Sequence, residues 1–266
     1  MLGTMSDPNT PSRYTGADPP ADATPQTVAE PTAPRAVPRT LVVWVITAIN
    51  VAVFLAMELS GGSTNTRVLV AFGAKVNQLI AQGEYWRLVA PIFLHIGLMH
   101  LVFNSIALLS FGRLAETIYG HARFLAIYLI AGLAGTTFSY LFSRGVSAGA
   151  SGAIFGIAGA LAVFFAVNRN KGPMSGQGQL GSIVALLAIN AVFGITNPMI
   201  DNWAHAGGLI AGAALAAWLT PRFEPVTSAE GLRLGWRLQR SATAAWLIVP
   251  VVPLILALAL MRIPAR

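Results

Sequence analysis

The chain has 266 residues, 55% hydrophobic and only 10% charged, against roughly 25% charged in an ordinary soluble domain. That balance excludes a soluble globular protein, and the lack of cysteine excludes disulfides, thiolate chemistry and four-cysteine metal sites. A net charge of +7 would suggest nucleic acid in a soluble protein, but in a chain this apolar it reads as topology-setting loop charge, with no nucleic-acid partner.

Residues 1–39 are rich in Pro, Thr, Ala and Asp and hold eight of the sixteen prolines. Such a segment buries too little apolar surface to offset its ordering entropy, so a disordered cytoplasmic tail is expected. No apolar core precedes residue 41, so no secretory signal peptide is read there and the first span serves as an uncleaved anchor. Stretches long enough to cross a bilayer as helices follow at roughly 41–59, 89–111, 124–142, 151–168, 180–196, 203–219 and 243–262. The expected architecture is an all-α polytopic membrane protein. It has a six-helix core over 40–222, a basic cytoplasmic loop over 223–242, and a seventh helix with its tail over 243–266, kinked at Pro250 and Pro253.

The 60–88 connection mixes Val68, Leu69, Val70, Phe72, Leu79 and Ile80 with Lys75, Asn77 and Gln78, and ends in Tyr85-Trp86-Arg87. Its apolar residues and interfacial aromatics suggest partial insertion into the outer leaflet; a short extramembrane helix is the competing reading. With the amino terminus inside, 11 Lys and Arg residues fall inside and 6 outside, most clearly the cluster from Arg222 to Arg240. A cytoplasmic amino terminus in a multi-pass protein of the cell membrane is therefore expected.

Polar side chains within spans are costly and are functional candidates by default. Here they gather at one depth. The second span carries His95, His100 and Asn104 near its beginning, the fourth opens on Ser151, and the sixth on Asp201, Asn202 and His205. All three spans enter from the outer face. Ser151 alone is weak evidence, since membrane serines commonly bond back to a carbonyl. However, Gly152 and Gly156 are four apart, and Gly208 and Gly212 repeat that spacing beside His205. Two such small-residue faces allow near-backbone contact, which brings a hydroxyl and an imidazole, the minimal pair for acyl transfer, within reach of each other.

His100 and Asn104 are i and i+4 and share a helix face, where both can donate to a developing negative charge. With the N–H groups at the start of the fourth span they form a candidate oxyanion hole. On one helix His95 would lie about 140° from His100, which assigns it to loop support or solvent access. Asp201, after Asn197-Pro198, reads as the N-cap of the sixth span rather than a third catalytic member. Glu116 reads as a structural ion pair with Arg113 and Arg123. No metal, cofactor or zinc-helix motif is expected.

These residues resemble the rhomboid family of intramembrane serine proteases over about 60–219. The resemblance rests on Trp86-Arg87, His95-x4-His100-x3-Asn104, Gly149-x-Ser151-Gly152 and His205-x2-Gly208-x3-Gly212, in family order. It implies Ser151 as nucleophile, His205 as general base, and His100, Asn104 and the Ser151 N–H around the oxyanion, within a six-plus-one helix arrangement. Phe155 falls where the family places an aromatic, often tyrosine, beside the catalytic histidine. Single-span membrane proteins are the implied substrates and the lipid bilayer the setting. A silent rhomboid-like binder of transmembrane helices and a small-molecule transporter are the rival readings, separable by a serine-reactive probe and by uptake assays.

Overall fold

The computed structural model describes residues 40–171, 177–197, 200–227, 231 and 233–239. The expected tail at 1–39 and seventh span at 243–262 lie outside these residues. The α-helices are α1 (Leu41–Leu59), α2 (Thr66–Ala71), α3 (Asn77–Ala81), α4 (Leu98–Tyr119), α5 (His121–Phe142), α6 (Ser151–Val167), α7 (Gln177–Thr196) and α8 (Asn202–Leu219). Among the described residues, Leu41–Leu59, Leu98–Tyr119, His121–Phe142 and Gly178–Thr196 are long and apolar enough to cross a membrane, and Ser151–Val167 is a shorter apolar helix.

The second span begins at Leu98, not at residue 89. The apolar run is continuous, but the backbone is not. Pro91 sits at the start of a 3₁₀ turn, Ala90–Phe93, and Gly97 precedes α4 with φ +79°, a conformation that side chains disfavour. His95 therefore lies in a loop ahead of the helix that carries His100 and Asn104.

Residues 60–88 fold as α2, α3 and a 3₁₀ turn at Tyr85–Leu88. Val68, Leu69 and Ala74 bury themselves with Met57 of α1 and with Leu94. The Asn65 side chain accepts from Arg67 N at 3.0 Å, which caps α2.

The helix ends interlock. Glu116, buried near the end of α4, accepts from Val42 N at 2.8 Å and Val43 N at 2.9 Å and also bonds the His121 ring. Its carboxylate thus caps α1, a role beyond the ion pair read from the sequence. The start of α1 offers N–H groups with no partner in their own helix and the positive end of its dipole. Glu116→Ala leaves two such donors unsatisfied, each costing about 1–3 kcal/mol. A clear fall in thermal melting temperature against the unsubstituted chain is expected.

At the same end, Tyr119 Oη donates to Ala160 O at 2.8 Å, and Asn168 Nδ2 donates to Pro221 O at 3.1 Å. Past α8 the chain departs from the expected all-α fold. β1 (Arg222–Thr227) and β2 (Arg233–Gln239) pair antiparallel, with Phe223 opposite Leu238 and Pro225 opposite Trp236. Asn168 Oδ1 accepts from Phe223 N at 3.0 Å, and the Phe223 ring lies 6.1 Å from Phe164. Leu232, Leu234, Trp236 and Leu238 alternate with Arg233, Gly235 and Arg237, a period of two that the arginine content of this stretch hides. The described part of the 223–242 segment is therefore a hairpin docked on the core.

Candidate active site

Three helices, α5, α6 and α8, meet with almost no side chain between them. A Cβ added to Gly208 would fall 1.9 Å from Gly152 O, and one on Gly212 would fall 2.0 Å from Gly156 O. Gly135 of α5 closes the third side, where an added Cβ would lie 2.7 Å from Ala204 O and 3.4 Å from Gly152 Cα. The Gly152 and Gly208 faces thus hold α6 and α8 at backbone contact.

That contact fixes the level of the reacting candidates. Ala204, the residue before His205, has its carbonyl 3.1 Å from the Cβ position of Gly152, the residue after Ser151. The His205 ring stacks on Phe155, with centroids 4.0 Å apart and planes 8° from parallel. Phe155 is one turn along α6 from Ser151 and on the same face, so the imidazole occupies the face that carries the hydroxyl.

Asp201 does not join this pair. One of its oxygens accepts from Ala204 N at 3.1 Å, which caps α8, and the other accepts from the Ser139 hydroxyl. His205 Nδ1 is buried and without a hydrogen-bond partner, so the ring is oriented by stacking rather than by a carboxylate.

The opposite wall comes from α4. Ile96 N donates to His100 Nδ1 at 3.3 Å, and a neutral ring that accepts at Nδ1 carries its proton on Nε2. That Nε2 lies 3.0 Å from the Cβ position of Gly149, and Ser151 Oγ lies 3.6 Å from the same point. Gly149, at φ +147°, is required twice: the backbone disfavours a side chain, and the His100 ring occupies the space one would need. Asn104 is buried and uses one amide proton on His100 O at 2.9 Å, which leaves a second proton to donate.

His95 is fully buried in the loop before α4, its ring edge-on to His100 with centroids 5.3 Å apart. Burial, and then the neighbouring His100, push its pKa down to about 3, against a favourable contribution from the Phe93 backbone. His95 is therefore a neutral ring that supports His100.

Trp86 and Arg87 act further out. Arg87 donates to Val70 O at 2.6 Å, Ala74 O at 3.2 Å and Glu84 Oε2 at 2.8 Å, with its guanidinium 4.5 Å above the Trp86 ring. Trp86 fills the space beside Gly73. This pair organises the 60–88 segment. Sequence reasoning missed the bonds from Lys75, Asn77 and Pro91 to the strip ahead of Ser151, because they join segments far apart in the chain.

Glycine contacts among α5, α6 and α8 thus bring the start of α6, with Ser151, and the first turn of α8, with His205, to one level. The chain belongs to the rhomboid family: residues 82–222 match the family model described as Rhomboid domain. It is 51% identical over 172 residues to the rhomboid protease GluP of Bacillus subtilis, covering 65% of this chain and 33% of that one. It is 32% identical over 193 residues to the rhomboid protease AarA of Providencia stuartii, covering 63% of this chain and 68% of that one. A putative rhomboid protease of Bacillus subtilis, YdcA, is 39% identical over 139 residues, covering 52% and 68%. The match to GluP thus spans about a third of that relative's length.

Proposed function

We propose that this chain is an intramembrane serine endopeptidase that cleaves single-span membrane proteins, with Ser151 as nucleophile and His205 as general base. The observation that carries this reading is the stack of His205 on Phe155, one turn from Ser151, with α6 and α8 locked together by glycine. Rhomboid membership and the relatives named as rhomboid proteases support it.

In the reaction the Ser151 hydroxyl attacks the scissile carbonyl as His205 takes its proton. Negative charge then gathers on the carbonyl oxygen. His100 Nε2–H, the free Asn104 amide proton and the Ser151 N–H are the donors for it, placed where the N–H groups at the start of α6 add the positive end of the helix dipole. His205 returns the proton to the leaving amine, and water, activated by the same ring, hydrolyses the acyl-enzyme. Water reaches the site from the loop side, where α4, α6 and α8 all begin. We place that side outside and the amino terminus in the cytoplasm of a cell-membrane protein, from the arginine-rich loops at the other end. No metal or cofactor enters this mechanism.

The test is fluorophosphonate labelling of the purified full chain, mapped by peptide mass, alongside cleavage of reconstituted single-span proteins. An adduct on Ser151 with matching loss of proteolysis is expected; proteolysis that survives full labelling of Ser151 overturns the assignment. Asn104→Ala is expected to lower kcat about 100-fold with KM nearly unchanged, since one oxyanion donor contributes about 3 kcal/mol and two others remain. Unchanged turnover with a lowered melting temperature would make the asparagine structural.

A further inference from the structure

Lys75 has no part in the chemistry above, yet its side chain is 0% exposed between α2 and α3. Lysines are almost never fully buried without partners. Its Nζ donates to Ser143 O at 2.7 Å and to Gly145 O at 3.0 Å. Its backbone pairs both ways with Ser147, N to O at 2.9 Å and back at 3.2 Å. Asn77 Nδ2 adds bonds to Tyr140 O at 2.9 Å and Ser143 O at 3.0 Å, and Gly149 N donates to Pro91 O at 2.9 Å.

Residues 143, 145, 147 and 149 are thus each tied to the 75–91 segment. They belong to the strip that leaves α5 and delivers Ser151 to the start of α6. Among the described residues, Lys75 supplies the one charged donor in this seam, and charge-assisted bonds are about twice as strong as neutral ones. Its ammonium also meets the carbonyl end of α5, the negative end of that helix.

We infer that Lys75 is a positioning residue for catalysis: its ammonium clamps the 143–150 strip to the 75–91 segment and so holds Gly149 and Ser151 in register with His100. This rests on the reading of Ser151 as nucleophile. The charges around Lys75 are few. Asp201, at the start of α8, favours the ammonium; Arg87, which donates to the adjacent Ala74 O, is paired with Glu84; and Arg144, within the clamped strip, is exposed. Burial pulls the Lys75 pKa down from 10.5 to about 8, with Asp201 opposing. Above that pH the amine keeps two protons but loses its charge, and the clamp weakens.

The sign for stability is opposite. Between about pH 8 and 10.5 the folded chain binds fewer protons at Lys75 than the unfolded chain does, so this group makes stability rise with pH there. Loss of activity without loss of stability across that window marks positioning rather than unfolding.

The experiment measures kcat, KM, fluorophosphonate labelling rate and melting temperature from pH 6 to 10 for the wild-type chain, Lys75→Arg, Lys75→Met and Ser151→Ala. In the wild type, kcat and labelling rate fall together with a midpoint about pH 8, by about tenfold, a sub-ångström displacement of the nucleophile being enough for that. Lys75→Arg stays charged, so its alkaline limb moves beyond pH 10. Lys75→Met has low kcat at every pH, little change in KM, and no limb. An alkaline limb unmoved in Lys75→Arg overturns the proposal, even if Lys75→Met fails to fold. So does wild-type turnover in a folded Lys75→Met. Full proteolysis by Ser151→Ala overturns the assignment of the nucleophile instead.

Discussion

Ser151→Ala is expected to abolish cleavage of a reconstituted single-span substrate and all fluorophosphonate labelling, with a melting temperature within a few degrees of the wild type. Ser151 is the first residue of α6, the helix has no side-chain cap bond at that end, and alanine is the best helix former. The substitution therefore removes an oxygen and little else. Loss of a nucleophile that works with a partner base costs on the order of 10⁶ in kcat, and removing either member costs nearly as much as removing both. His205→Ala is thus equally silent, and Ser151→Ala with His205→Ala is no worse than either alone. His205→Ala also empties the space over Phe155, so its melting temperature falls where that of Ser151→Ala does not. Additive losses in the double variant would mean that the two side chains act separately, and the dyad assignment would fall.

Much of the fold was legible because burial in a bilayer demands length and apolarity, and both are written directly in the chain. Leu41–Leu59 coincides with its apolar stretch, and α5 to α8 start within a few residues of theirs. The start of α4 was not legible. Hydropathy runs smoothly through Val89, Ala90, Pro91, Ile92, Phe93 and Leu94, whereas the helix start is set by the backbone at Pro91 and Gly97. The hairpin was hidden for a related reason: arginines drew attention to charge rather than to alternation. In the candidate site, the meeting of α6 and α8 was legible from glycine spacing, since nothing larger fits between two backbones. Lys75, Asn77 and Pro91 were not, because a hydrogen bond between residues some 68 apart, as from Lys75 to Ser143, leaves no periodicity in the sequence.

Gly208→Ala, the mildest substitution available, is expected to cost about 100-fold in turnover and to lower the melting temperature by several degrees. Its new Cβ would sit 1.9 Å from Gly152 O, 2.7 Å from Gly152 C and 3.1 Å from Gly152 Cα, where contacts below 3.0 Å essentially never occur. The obstacle is backbone, not the end of a flexible side chain, so α8 itself must retreat by about 1 Å. Displacement on that scale between nucleophile and base costs on the order of 100-fold, and overpacking a tight contact costs about 1–3 kcal/mol. Packing, rather than the hydrophobic effect, holds membrane helices together, so the two losses share one cause. Gly208→Val deepens both. Gly212→Ala meets Gly156 O at 2.0 Å, an equal collision one turn further from His205, so its melting temperature falls as far while its rate falls less. Gly178→Ala on α7 meets nothing within 4 Å and should change neither quantity. Paired rates and melting curves on these four variants decide the matter. Full activity in Gly208→Ala would mean that α6 and α8 do not carry Ser151 and His205 at backbone contact, and the dyad geometry would fall with it.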